Sequence, residues 1–244
     1  MLEKSTLKPM SPQANPRPRL LVSVRDAGEA AMAMAAGADL VDAKDPERGA
    51  LGALPTETVR AIVAAIAGKA VSSAVAGEPM DASSLATDVA AMAATGIGYV
   101  KVAVRPDFDA AALAAAAQAA PGRLIAVLFA EVPIPEDLVA RLAEAGFAGV
   151  MIDTAGKDGR RLTDLLPASR LSAFARKARD HGLLSGLAGS LAIADIAILA
   201  AHGPDYLGFR GGLCDRSDRT RGLDPERVAL AVRALRELDR RDAA

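Results

Sequence analysis

The sequence predicts a single-domain α/β protein built as a (β/α)8 barrel, and three observations point there. Gly37, Gly68, Gly96, Gly122, Gly146, Gly182 and Gly203 each close an Ala-rich stretch and precede a short apolar run. Glycine suits the left-handed residue that ends a helix. Counting the run at the start, eight strand-like segments alternate with helical ones across roughly 225 residues, close to the usual barrel size of about 250. No linker divides the chain. The rival, a doubly wound sheet, usually carries a glycine-rich turn after its first strand, and here that turn reads Ser23-Val24-Arg25-Asp26.

In chain order, the strands are expected at Arg19–Val24, Leu40–Ala43, Ala70–Ala74, Tyr99–Val104, Leu124–Leu128, Val150–Asp153, Leu183–Ala188 and Tyr206–Phe209. Asp26 with Glu29 three residues on reads as a capping pair that opens the first helix. Helices follow over Thr56–Ala67, Ala82–Thr95, Asp109–Ala119, Pro135–Ala145, Leu171–Arg179 and Ile193–Ala201. Asp224-Pro225 places a cap before proline at the first position of the last helix. Strands that alternate with helices pair in parallel and have their faces covered.

Half of the 244 residues are apolar, enough for a full core, while aromatics make up only 3%. A net charge of −1 gives no general attraction to nucleic acid or anionic lipid, so neither a nucleic-acid nor a membrane partner is expected. One cysteine, Cys214, excludes an internal disulfide and a cysteine-rich metal site; no metal or cofactor is expected. His181 and His202 each precede a helix-ending glycine and read as helix-terminal residues rather than catalysts. Residues 1–18 are polar and carry four prolines. They read as a flexible extension to a barrel domain over 19–244, without the apolar stretch of a signal peptide. A cytoplasmic protein is expected, and whether it forms a homo-oligomer is left open.

The chain has seven lysines against twenty-two arginines. Three of the seven, Lys44, Lys101 and Lys157, lie in or just beyond apolar strand-like runs. A partly desolvated lysine can lose its proton and attack a carbonyl, which arginine cannot. Barrel active sites lie at the C-terminal strand ends, where the sequence places Asp42, Lys44, Lys101 and Asp153, with Lys157 just beyond. Asp42 and Lys44, two residues apart, face the same side of a strand, and pairing between them would keep Lys44 charged. The fifth strand leads to Glu131, to which the pattern assigns no role. Gly189-Ser190 and Arg210-Gly211 follow strands seven and eight, where barrels commonly bind phosphate through backbone N–H groups; Arg210 would add a charged fork. A small phosphorylated carbonyl compound is the expected substrate.

The runs Leu20–Asp26, Gly37–Pro46 with Gly49–Gly52, Tyr99–Val102, Asp153–Gly159, Leu187–Leu191 and Gly208–Cys214 resemble the (5-formylfuran-3-yl)methyl phosphate synthase family. These enzymes make the furan precursor of methanofuran. The resemblance covers nearly everything after the extension and suits a bacterial member, such as one from a methylotroph. It implies a (β/α)8 fold and a metal-independent carbon–oxygen lyase. Two glyceraldehyde 3-phosphate molecules would condense to 4-(hydroxymethyl)-2-furaldehyde phosphate with loss of phosphate and water. It also implies that Lys44 forms the Schiff base and that Asp42, Lys101, Asp153 and Lys157 occupy the other catalytic positions. A class I aldolase-like sugar-phosphate lyase shares Lys44 and the phosphate loops, and a non-catalytic binding barrel is the third reading.

Overall fold

The computed structural model describes residues 17–156 and 159–242. Of the expected N-terminal extension, residues 1–16 lie outside that range; Arg17, just before the first strand, pairs with Asp39 at 3.6 Å. All eight expected strands form: β1 Arg19–Val24, β2 Leu40–Ala43, β3 Val71–Gly77, β4 Tyr99–Ala103, β5 Leu124–Phe129, β6 Gly149–Asp153, β7 Leu184–Leu187 and β8 Tyr206–Phe209. They pair in parallel and in sequence order, and β8 closes onto β1.

The helices are α1 Ala27–Ala35, α2 Thr56–Ile66, α3 Ala82–Ala93, α4 Ala110–Ala119, α5 Leu138–Glu144, α6 Leu162–Leu165, α7 Ala168–Asp180, α8 Asp195–Ala200 and α9 Pro225–Asp242. The seven punctuating glycines all take positive φ, from +66° to +99°. Asp26 accepts the Glu29 amide at 2.8 Å as a capping residue should. The returning half of the expected box differs: the Glu29 carboxylate takes the Arg25 amide, at 3.0 Å, in place of Asp26's. Asp224 caps α9 by accepting the Glu226 amide at 2.8 Å. At α7 the C-cap is His181. His202 instead meets the Ser172 hydroxyl at 2.8 Å, and burial lowers its pKa, favouring the neutral ring over a charge at a helix end.

Alternation along the strands divides the core in two. One side packs against the helices, through Val22, Val41, Val100, Val150 and Leu207 among others. The other fills the barrel, with Leu21, Leu40, Val75, Tyr99, Ile125, Met151, Leu184 and Tyr206. Inside, Tyr206 lies where a Cβ on Gly186 would stand 2.3 Å from its ring carbons, so the missing side chain on β7 makes room for the ring on β8. The Tyr206 hydroxyl is buried and has no hydrogen-bond partner among the described residues. Burial first, then the nearby Asp42 charge, pushes its pKa well above the phenol value. No helix among the described residues is long and apolar enough to cross a membrane.

Candidate active site

A cavity of about 420 Å³ opens at the C-terminal strand ends, lined by Ser23, Asp42, Lys44, Lys101, Asp153, Gly189, Ser190, Arg210, Gly211 and Arg219 among others. Eight of the nine residues expected at the site therefore converge there. The ninth, Lys157, lies outside the described residues.

Strand register explains the floor. Ser23 is the β1 neighbour of Asp42, and Ser73 is its β3 neighbour. All three point inward. Ser73 donates to Asp42 Oδ1 at 2.6 Å, and Ser23 donates to Oδ2 at 3.1 Å. From β4, the Lys101 ammonium meets Oδ2 at 2.8 Å. Asp42 is 0% exposed and Lys101 2%. A buried carboxylate is tolerated when charge and hydrogen bonds replace its water, and three donors do so here. Burial pushes the Lys101 ammonium below the usual lysine pKa; the Asp42 charge opposes this and the Lys44 charge reinforces it.

The pairing corrects the expected one. Lys44 does not pair with Asp42. It lies one residue beyond β2, its amide anchored to the Val24 carbonyl at 2.9 Å, and its amine crosses the barrel to Asp153 Oδ2 at 3.3 Å. The loop after β2 folds back on itself, with the Asp45 amide on the Gly52 carbonyl at 2.9 Å. A Cβ on Gly52 would stand only 2.5 Å from the Asp45 carbonyl oxygen. Asp153 Oδ1 accepts the Thr154 amide at 2.7 Å, which fixes the carboxylate beside the Lys44 amine.

Arg210 corrects a second expectation. Its guanidinium is held by the Glu29 carboxylate and donates to the carbonyls of Ser23, Arg219 and Arg221 at 3.2, 3.0 and 2.9 Å. It pins the β8 loop and leaves no free fork for an anion. Gly189 and Ser190 line the cavity. Both take positive φ, +118° and +49°, and their amides have no acceptor among the described residues. Gly189 must also lack a side chain, because a Cβ would lie 2.5 Å from Thr154 Cγ2.

Sequence reasoning missed Ser23, Ser73 and Arg219. A hydroxyl at an inward position of an apolar strand was the legible signal for the serines. Glu131, unassigned from sequence, accepts the Ala155 and Gly156 amides at 3.0 and 2.9 Å, tying the β6 loop to the β5 loop. Cys214 is buried, donates to the Arg210 carbonyl at 3.3 Å, and has its pKa pushed up by burial to about 11. Among the described residues, no three His, Cys, Asp or Glu side chains converge as a metal site.

Residues 20–232 match the family model described as 4-HFC-P synthase. A protein of the methylotroph Methylorubrum extorquens, provisionally named (5-formylfuran-3-yl)methyl phosphate synthase, is 61% identical over 228 residues, covering 93% of this chain and 96% of that one. The (5-formylfuran-3-yl)methyl phosphate synthase of Methanopyrus kandleri is 36% identical and covers 84% and 93%. Among solved structures, 3-hexulose-6-phosphate synthase from Salmonella typhimurium aligns with a TM-score of 0.62 at 17% identity, over 88% of this chain and 99% of that one. Phosphoribosyl anthranilate isomerase from Thermus thermophilus gives 0.63 at 17%, over 90% and 99%. At these identities the likeness is one of fold.

Proposed function

Because the chain belongs to the 4-HFC-P synthase family, we propose that it catalyses the reaction named for its relatives, using glyceraldehyde 3-phosphate as sole substrate and Lys44 as a Schiff-base residue. The atoms balance as two triose phosphates giving one furaldehyde phosphate, one inorganic phosphate and two waters. The observation that carries the assignment is the Lys44–Asp153 pair at the cavity. The amine stands 3.3 Å from a carboxylate, and the Lys44 side chain is 10% exposed against 3% for Lys101. It is the more accessible of these two amines.

Condensation of the Lys44 amine with the first aldehyde releases water and forms an iminium, an electron sink for the adjacent carbon. Removal of the C2 proton gives an enamine, which expels phosphate from C3. Asp153, beside the nitrogen, is the base favoured by position. The product's connectivity joins C3 of this triose to the middle carbon of the second. The second triose must therefore react as its ketone, after a proton shift from C2 to C1. Its C1 hydroxyl then closes the ring on C2 of the first, two waters leave, and hydrolysis of the imine restores the aldehyde. Asp42, held by Ser23, Ser73 and Lys101, is the second acid/base assembly within reach of the cavity. The free amides of Gly189 and Ser190 suit a phosphate ester.

The test uses the purified protein with glyceraldehyde 3-phosphate alone. Mass spectrometry should find the furaldehyde phosphate and equimolar inorganic phosphate, with ultraviolet absorbance growing as the furan forms. A simple six-carbon aldol product that retains both phosphates would replace this assignment with the aldolase-like one.

A further inference from the structure

Five arginines lie between the end of β8 and the first turn of α9, and four are accounted for. Arg210 is bound to Glu29. Arg221 pairs with Asp215 at 2.8 Å and with Asp218 at 3.6 Å. Arg227 donates to the Gly212 carbonyl and the Ser217 hydroxyl. Arg216 is solvent-exposed and does not line the cavity. Arg219 differs from all of them: it is partly buried, it lines the cavity, and no described carboxylate lies within ion-pair distance of it.

Its position is built. The stem passes Gly211, with Arg219 Cβ 3.5 Å from where a Cβ on that glycine would stand. The tip donates one N–H from Nη2 to the Gly49 carbonyl at 2.7 Å, in the loop after β2. The guanidinium thus reaches from the β8 loop to the β2 loop. It has five N–H donors, and the remaining four have no acceptor among the described residues. The segment leading to it holds two non-glycine residues in left-handed conformation, Arg216 at φ +52° and Ser217 at +59°. Strain of this kind persists where surrounding structure over-determines it, and it clusters at ligand clamps. Burial works against the Arg219 charge, while Asp153 and then, after Arg210's opposing charge, Asp45 favour it. A partly desolvated guanidinium with no carboxylate at ion-pair distance among the described residues is suited to an anion.

Resting on the function proposed above, we infer that Arg219 binds the phosphoryl group of the triose attached to Lys44, the one that departs as inorganic phosphate. Asp153 connects the two residues: it pairs with the Lys44 amine, and its charge is the largest electrostatic influence favouring the Arg219 cation. The Gly189–Ser190 amides then hold the phosphate that the product retains. A fixed cation at the leaving group stabilises charge as it develops, which is worth most in the transition state.

The experiment compares Arg219→Ala and Arg219→Lys with the unaltered protein. Thermal unfolding is titrated with inorganic phosphate and, separately, with the furaldehyde phosphate. Arg219→Ala should need about tenfold more inorganic phosphate for the same stabilisation, the loss expected for a charged hydrogen-bonding partner. Its response to the furaldehyde phosphate should stay within about twofold of the unaltered protein's on the same reasoning. Arg219→Lys should recover part of the lost affinity. Equal weakening of both responses would make Arg219 a loop tether and overturn the inference, as would an unchanged phosphate response. The readout needs no turnover: a phosphate response that depends on Arg219 without furan formation would retain the subsite and remove the proposed reaction.

Discussion

The two lysine–aspartate pairs of the barrel use the same chemical groups at different depths. On the floor, Lys101 and Asp42 are 2.8 Å apart with side chains 3% and 1% exposed, and two serine hydroxyls complete the carboxylate. At the rim, Lys44 and Asp153 are 3.3 Å apart and 10% and 7% exposed. The deep pair is over-determined by β1, β2, β3 and β4 together. The rim pair joins a residue just past β2 to the end of β6 and opens to the cavity. Depth is what distinguishes them: the floor pair is held on all sides, and the rim pair keeps the more exposed amine, the one assigned to imine formation in the proposed reaction.

The largest effect should come from Lys44→Arg, which keeps the positive charge and removes imine chemistry. We expect turnover to fall on the order of 10⁴-fold or more, as for loss of other covalent nucleophiles. Borohydride added with glyceraldehyde 3-phosphate should leave a reduced adduct on the peptide containing Lys44. An adduct on Lys101 would reverse the assignment of the two pairs.

Next in size is the stability contrast. Asp42→Asn strips the counter-charge from a buried ammonium, a change that costs about 3 kcal/mol; Asp153→Asn, nearer solvent, should cost less. Urea unfolding of the two variants measures this, and equal losses would mean that depth does not separate the pairs.

A smaller effect concerns pH. Burial lowers the folded-state pKa of Lys101 below the ordinary 10.5, so at this residue the unfolded chain binds more protons between those two values, and its contribution to stability rises with pH across that window. Relative to Lys101→Met, the unaltered protein should gain stability from its lowered pKa toward 10.5. A flat or falling difference in urea midpoints would show that the ammonium is not destabilised by burial. Smallest of all, Cys214→Ser should leave turnover within about twofold, because a buried thiol with a raised pKa is a poor nucleophile. The native thiol should also resist iodoacetamide at pH 8.

The strands were legible because each is a short apolar run, and seven of the eight follow a helix-ending glycine. Helix α6 was not, since Leu162–Leu165 is too short to show a period. Eight residues of the cavity lining were legible from strand ends and the loops just beyond them, while Ser23 and Arg219 were not. The site's pairings were not legible either: sequence spacing puts Asp42 and Lys44 on one face, but barrel stagger decides which amine reaches which carboxylate. Arg210 shows the same limit. Its place after β8 was readable, but the direction of its guanidinium depended on Glu29, 181 positions away.

That Glu29 carboxylate also receives the amides of Arg25 and Leu223, joining the first βα unit to the last. The joint has a consequence for synthesis. As the chain emerges from the ribosome, β1 has its β2 neighbour early, but its other edge waits until residues 206–209 are made. During that wait the nascent sheet carries an open edge of the kind prone to pair with another chain. Closing it late requires bringing together segments nearly two hundred residues apart, and the Arg210–Glu29 rivet sits at the site of that final closure.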